Sequence, residues 1–252
     1  MKPISLKPKK SNRKWFWIAA GVIVIIAVVG YFALPRILYL FGSSGAARWL
    51  KYTSWQKDPG LAEQIRLDAG GKCEGAPFQF PTTGVVFGLW KESYRPGHIH
   101  SGIDIFPGTE VGETPIFAAY DGYLTREADW KSTVIIRIPE DPLQPNRQIW
   151  TYYTHMADQQ GNPLIAEEFP MGTFEVWVEA GTFLGYVGNY SGSPVNPTGI
   201  HLHFSVVKDD GRGGYLNELD IDNVLDPSPY FGLPLNQDDN PNGFPTCAGV
   251  VE

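Results

Sequence analysis

Residues 199–204 read GIHLHF, and this stretch decides which fold the rest of the chain is expected to adopt. Alternate residues of a β-strand point to the same face of a sheet. His201 and His203 should therefore share one polar face, while Leu202 and Phe204 enter a core. Two imidazoles fixed side by side on a rigid strand are well placed to bind a metal ion, although a His-x-His pair alone is a weak signal.

The other apolar and β-branched runs predict a mainly β, antiparallel domain. The chain holds 28 glycines and 21 prolines, which indicates many turns. Strands are predicted over residues 84–90, 116–119, 123–126, 133–138, 149–155, 174–178, 183–187 and 201–207. Residues 120–122 (YDG), between the second and third of these strands, predict a hairpin. Strands at this spacing are typical of an antiparallel β-sandwich or barrel-like fold, which we assign to residues 75–232.

An uncharged apolar run, residues 15–34, precedes this domain. As a helix it would be about 30 Å long, which matches the hydrocarbon core of a bilayer. Residues 1–14 carry six basic residues and no acidic one, so they are expected to be a cytoplasmic segment, with the domain outside the cytoplasm. A cleaved signal peptide is the alternative, but its apolar region is usually only about 7–15 residues long. We therefore expect a retained, single-pass transmembrane helix at residues 15–34.

The charge balance makes nucleic acid an unfavourable partner. The whole chain has 20 basic and 27 acidic residues and a net charge of −7. Because the charges in the first fourteen residues are all basic, the remainder is more acidic than the total suggests. An acidic body repels a phosphate backbone.

A linker and a tail are expected on either side of the β domain. Residues 35–74 form the linker, with short helices predicted at 46–55 and 61–67. The aromatic residues of the first helix lie at near-helical spacing; they either rest on a membrane surface or, as we favour, pack on their own domain. Residues 233–252 are rich in polar residues and are expected to form a poorly ordered C-terminal tail.

The chain has two cysteines, Cys73 and Cys247. Outside the cytoplasm they could pair and tie the linker to the tail. They could equally be two unrelated buried thiols. The sequence leaves both interpretations open.

The five histidines all fall within the β domain. His98 and His100 precede Asp104, His155 ends a predicted strand, and the last two form the His-x-His pair. Imidazole and carboxylate both suit Zn²⁺; three protein ligands plus water is the pattern of a catalytic site, whereas a fourth protein ligand indicates a structural one. His155 is assigned to the strand face of Thr151 and Tyr153, where it could either support a ligand or act as an acid–base group.

Three motifs in this order make a specific resemblance. They are HSGID at 100–104, YYTHM at 152–156 and GIHLHF at 199–204, with further similar segments at 112–124, 180–192 and 225–227. Over about residues 80–230 the chain resembles the lysostaphin/LytM-type zinc metallopeptidases, which cut the peptide cross-links of bacterial cell walls and have a duplicated hybrid motif fold.

This resemblance implies roles for particular residues. His100, Asp104 and His203 would be zinc ligands, and His155 and His201 would be the catalytic histidines. The implied protein is a membrane-anchored zinc metalloendopeptidase whose substrates are peptidoglycan peptides or other extracytoplasmic peptides.

The chain also departs from the family pattern. Ile200 stands where proline is common, Ser205 stands where glutamate is common, and His98 matches no family ligand and is expected to lie in the cleft or on the surface. Loops at 139–147 and 157–172 are expected to wall the substrate groove.

Two other functions are alternatives to a zinc endopeptidase. One is a non-catalytic, membrane-tethered cell-wall scaffold or amidase activator; such relatives usually lack the zinc ligands. The other is a binding module with a structural zinc ion, for which His98 is the available histidine as fourth ligand.

Overall fold

The protein is described by a computed structural model that covers residues 13–42, 44–55, 57–93, 97–240 and 242–251, with the side chains of 13–16, 19, 34–47 and 55 outside the description. The helices are α1 (Arg13–Gly42), α2 (Ser44–Trp55), α3 (Pro59–Ile65) and α4 (Ser228–Phe231). The strands are β1 (Val85–Gly88), β2 (Ile103–Phe106), β3 (Pro115–Phe117), β4 (Gly122–Thr125), β5 (Val134–Ile138), β6 (Ile149–Thr154), β7 (Val176–Val178), β8 (Phe183–Tyr186), β9 (Leu202–Lys208), β10 (Val224–Leu225), β11 (Phe244–Thr246) and β12 (Gly249–Val251). The chain divides into a compact unit that ends at Gly42 and a second unit formed by the residues that follow.

The first unit consists, in its described part, of α1. The helix does not stop at Leu34, where the apolar run ends, but continues through Pro35 to Gly42. Proline has no backbone N–H, so the helix passes this point with one hydrogen bond fewer. Apolar side chains such as Ile23, Ile26 and Phe32 are largely exposed, and most of the basic segment predicted for residues 1–14 lies outside the described residues. Among the helices of the described part, none combines the length and hydropathy of a membrane span.

The second unit is mainly antiparallel β structure, as the strand pattern predicts. Its largest sheet has eight strands in the order β1-β2-β9-β6-β5-β4-β7, with β10 also paired to β9. Two smaller sheets are formed by β3 with β8 and by β11 with β12. Every pairing between these strands is antiparallel. The large sheet is open, with β1 and β7 at its edges, and is not a closed barrel.

Both faces of the large sheet are covered. Leu202, Phe204 and Val206 of β9 are fully buried in the main core, as the alternation in the sequence predicts. The same core receives Ile116 of β3 and Leu184 of β8, so the β3–β8 sheet covers this face. A smaller cluster on the opposite face contains Trp90, Ile135, Trp150, Val207 and Val224.

The hairpin predicted at residues 120–122 is wrong. β3 pairs with β8, whereas β4 pairs with β5 and β7. The glycine that suggested a turn, Gly122, instead allows β4 to lie close to β5. A Cβ on Gly122 would lie 2.4 Å from the carbonyl oxygen of Arg137 on β5, a contact that no other residue could make.

The aromatic residues of α2 pack on their own domain, as we favoured. Tyr52 is buried, and its ring lies 5.8 Å from that of Phe87 and 6.3 Å from that of Phe244. Trp49 also contacts Phe87, with 5.4 Å between ring centroids, and the side chain of Trp55 lies outside the description. The second short helix is α3, which begins two residues earlier than predicted.

The prediction of a poorly ordered tail is also wrong. Leu233, Leu235 and Phe244 are buried, and β11 and β12 form a two-stranded sheet. The mostly polar run at residues 236–243 suggested disorder, but the buried residues lie on either side of it. Cys73 and Cys247 form a disulfide that ties the tail to the segment before β1, so the pairing that the sequence left open is present.

Removing this disulfide should lower the free energy of unfolding by about 4 kcal/mol, because the bridge closes a very long loop in the unfolded chain; its cysteines are 174 residues apart. The comparison is Cys247→Ser against oxidised wild-type protein in denaturant unfolding. Reduced wild-type protein is the control and should match the variant. Equal unfolding free energies for the variant and the oxidised protein would contradict the prediction.

Candidate metal centre

Strand pairing brings two of the predicted ligands together. β2 and β6 lie on either side of β9, and the register places Asp104 opposite His203. The approach is close enough to require glycine two residues earlier, since a Cβ on Gly102 would lie 2.3 Å from the carbonyl oxygen of Phe204. The glycine of the HSGID motif thus lets the carboxylate reach the imidazole.

His100 completes a buried group of three side chains. Its Nε2 lies 3.1 Å from Asp104 Oδ1 and 3.0 Å from His203 Nδ1, and the last two atoms are 2.9 Å apart. Tetrahedral zinc ligands at about 2.1 Å from the ion would lie about 3.4 Å from one another. The three ligand atoms would have to move apart by only a few tenths of an ångström to hold an ion, so the three residues fit zinc.

The outer nitrogen of each ligand imidazole has a fixed partner. His100 Nδ1 lies 2.8 Å from the carbonyl oxygen of Leu89, and His203 Nε2 lies 2.7 Å from Glu218 Oε1. Both partners accept hydrogen bonds, so each outer nitrogen carries the hydrogen. The inner nitrogens, His100 Nε2 and His203 Nδ1, are then the atoms that can offer a lone pair to a metal ion.

A buried ion pair holds the segment that carries His100. The Glu92 backbone carbonyl accepts a hydrogen bond from His100 N at 2.8 Å, and its carboxylate accepts one from Leu89 N at 3.0 Å. The same carboxylate pairs with Arg48 of α2, and both side chains are almost fully buried. Helix α2 is therefore connected through Glu92 to the first ligand.

The charges at the centre suit a cation. Burial acts to raise the pKa of Asp104, but the imidazoles of His100 and His201 hold that pKa well below its ordinary value. Burial acts to lower the pKa of His203, but its hydrogen bonds with Asp104 and Glu218 raise that pKa to about 10. A metal ion would have to displace the proton from Nδ1, so uptake should release a proton.

His201 and His155 lie beside this group, as the motifs imply. His201 Nε2 is 3.4 Å from Asp104 Oδ1, and the His201 ring lies 4.6 Å from the His155 ring. Backbone carbonyls fix both rings: Gly199 O accepts from His201 Nδ1 at 2.8 Å, and Tyr190 O accepts from His155 Nδ1 at 2.7 Å. Each ring therefore keeps its Nε2 for other chemistry.

The strand face assigned to His155 is wrong. Thr151 and Tyr153 are fully buried, whereas Tyr152, Thr154 and His155 line the groove above the metal centre. The alternation ends at His155 because this residue has a left-handed backbone, with a φ of 70°. Such a φ is uncommon outside glycine and is often found at functional sites.

The groove above the centre is open, with a volume of about 600 Å³. Its walls come from residues 190–192, 196–198 and 218–219 and from the end of β6. In the described chain, the loops 139–147 and 157–172 contribute no lining residue, so their prediction as walls is wrong. The second of them instead pairs with β8, where Ala166 N donates to Leu184 O.

No fourth protein ligand joins the group in the described part of the chain. The side chains whose ligand atoms lie within 4.8 Å of one another are His100, Asp104 and His203. His98 lines the groove, as expected for a cleft residue, but is not in the group. Glu218 accepts a hydrogen bond from the outer nitrogen of His203 and is not in the group. This three-residue set is the pattern of a catalytic site rather than of a closed structural one.

Sequence reasoning missed Glu218. It lies in no motif, and its loop is separated from the His-x-His pair by more than a dozen residues. The one signal was Ser205, a small side chain on the metal face of β9 where the resemblance would place glutamate. Ser205 Oγ lies 3.5 Å from Glu218 Oε1.

Comparisons with known proteins found no matching family model and no matching curated protein. Similar solved structures include Csd3 from Helicobacter pylori, with 21% identity over 57% of this chain and a TM-score of 0.34. They also include the catalytic domain of the prophage-encoded M23 protein EnpA from Enterococcus faecalis, with 25% identity over 59% of this chain and 95% of that one and a TM-score of 0.35. A lytM protein from Ruminococcus gnavus shares 23% identity over 52% of this chain and 45% of that one, with a TM-score of 0.34.

The matched region covers 34% of the Csd3 chain, about a third of its length.

The ring of His155 should stay neutral from about pH 8 down to about pH 4 in the metal-free protein. Burial, with the neighbouring charges of His201 and His203, lowers its pKa to about 3. Ring proton shifts measured by NMR test this, and the His155→Gln variant assigns the resonance. A titration midpoint near the ordinary histidine value of 6.5 would contradict the prediction.

Proposed function

We propose that this chain is a zinc-dependent endopeptidase that hydrolyses peptide bonds with water. The observation that carries the proposal is the three-residue group of His100, Asp104 and His203, which lies at the floor of an open groove with two further histidines beside it. A zinc ion held there would supply Lewis acidity toward a water molecule and a peptide carbonyl.

The two other histidines supply proton transfer. His155 and His201 each donate from Nδ1 to a backbone carbonyl, so each Nε2 is free to accept or return a proton. Burial lowers the pKa of His155, so its ring is neutral at neutral pH and its Nε2 presents a lone pair to the groove. His201 lies beside Asp104. It would either stabilise the negative charge that develops on the oxygen of the scissile carbonyl or return the proton to the leaving amine.

Peptidoglycan cross-links are the proposed substrate class. The support is the order of the three motifs in the sequence, together with a groove that is open at the surface and can admit an extended peptide. A non-catalytic scaffold or amidase activator is the second candidate. The retention of the ligand group and of both flanking histidines favours hydrolysis, since a scaffold has no need of them.

Substitutions at the two His-x-His positions should separate metal binding from catalysis. His203→Ala should lose both zinc and activity, because it removes a ligand. His201→Ala should keep most of the zinc yet lose activity by about 10²-fold or more, as expected for a general acid or base. Zinc content and hydrolysis of purified peptidoglycan and of cross-bridge peptides are measured on the full chain in detergent.

Chelation followed by added zinc is the control and should remove and then restore wild-type activity. His98→Ala is the matched histidine variant and should retain its zinc. Normal hydrolysis by His201→Ala would overturn the assignment of that residue. Zinc binding without any hydrolysis by wild-type protein would favour the scaffold.

We also propose that α1 anchors the domain at a membrane, with the catalytic unit outside the cytoplasm. The support is the uncharged run at residues 15–34 and the basic residues before it. The described apolar side chains of α1, such as Ile25 and Val29, are exposed and suited to a lipid environment.

Alkaline carbonate extraction tests the anchor. The full chain should remain with the membrane pellet. Val24→Lys with Val28→Lys should release it, because each lysine at the centre of a spanning helix costs about 3 kcal/mol. Val24→Leu with Val28→Leu is the matched control and should stay in the pellet, and release of wild-type protein would refute the anchor.

A further inference from the structure

One carboxylate in the metal centre is not explained by the ligand set or by the proton-transfer histidines. Glu218 is mostly buried, and its Oε1 accepts hydrogen bonds from His203 Nε2 at 2.7 Å and from Ser101 Oγ at 2.8 Å. Ser205 Oγ lies 3.5 Å from the same oxygen. The nearest groups around this oxygen are therefore donors that fix its position.

Glu218 belongs to a loop and not to a strand of the sheet. Glu218 lies between the end of β9 and a 3-10 turn at Ile221–Asn223. Its neighbour Asn217 pins the loop, because the Asn217 backbone carbonyl accepts from Asn223 Nδ2 at 3.0 Å and from Asp220 N at 3.2 Å. The base of the loop continues the sheet, with Leu216 N donating to Lys208 O at 3.0 Å.

The strand itself leaves room for the loop. Ser205 follows His203 by two residues, so its side chain points to the same face of β9. It is fully buried and small. A long side chain at this position would occupy the space that Glu218 fills.

We propose that Glu218 is the positioning residue for the zinc ligand His203. Its carboxylate holds the hydrogen on Nε2, which leaves the lone pair of Nδ1 directed at the ion and fixes the plane of the ring. A charged acceptor makes a stronger hydrogen bond than a neutral one and makes the imidazole more basic. This inference rests on the proposed zinc site, and its readout is metal affinity, which does not depend on peptide hydrolysis.

The test is the zinc dissociation constant of the full chain in detergent, measured by competition with a chromophoric chelator. Glu218→Gln should bind zinc about tenfold more weakly, since the amide oxygen still accepts but carries no charge. Glu218→Ala should bind it up to about 100-fold more weakly, the range found when the partner of a metal-ligating histidine is lost. Glu168→Gln, at an exposed glutamate outside the groove, is the matched control and should bind as wild type does.

A rescue variant separates positioning from general damage to the fold. Ser205→Glu placed in the Glu218→Ala background puts a carboxylate back on the same face of β9 and should recover most of the lost affinity. Thermal unfolding of the metal-free proteins must show that every variant is folded at the temperature of the binding assay. Wild-type affinity in Glu218→Ala, or no recovery in the double variant when both variants fold, would overturn the proposal. If affinity changes as expected but wild-type protein hydrolyses no peptide, the positioning role stands and the proposed function fails.

Discussion

The position of β9 between β2 and β6 is the constraint on which the candidate site depends. It sets the carboxylate of Asp104 opposite the imidazole of His203, and on its other side it sets Thr154 opposite the same residue. His155 follows Thr154 directly, so one strand register determines where Asp104 and His155 lie relative to His203. A slip of one residue would turn the imidazoles of β9 into the core.

This arrangement is costly unless every polar group has a partner. Four imidazoles and a carboxylate are gathered below the surface, where an unsatisfied polar atom costs about 1–3 kcal/mol. The outer nitrogen of each ring is hydrogen-bonded by an acceptor from a different segment: the carbonyls of Leu89, Tyr190 and Gly199 and the carboxylate of Glu218. The inner atoms of His100, Asp104 and His203 lie 2.9–3.1 Å from one another, and a divalent cation between them would bind all three together. The site therefore fits an ion better than it fits a network of hydrogen bonds alone.

The sequence predicted the parts of the site that local rules govern. Alternation along β9 correctly placed Leu202 and Phe204 in the core and the two histidines on the other face, because the period of a strand is fixed by its backbone. It failed at His155, where the left-handed backbone interrupts that period. It also failed for Glu218 and for the groove walls, because long loops place residues through tertiary contacts that no spacing in the chain encodes.

The unit that holds the candidate metal centre extends further toward the N-terminus than the β-strand pattern suggests. Arg48 of α2 pairs with Glu92, and the backbone of Glu92 holds that of His100. Removing α2 would take Arg48 away from a carboxylate that is almost fully buried, and loss of one partner of a buried ion pair typically costs about 3–5 kcal/mol. That cost would fall on the segment that positions His100. Residues 44–74 are therefore not a passive linker between α1 and the β domain, since the helix at their start forms part of the support of the metal centre.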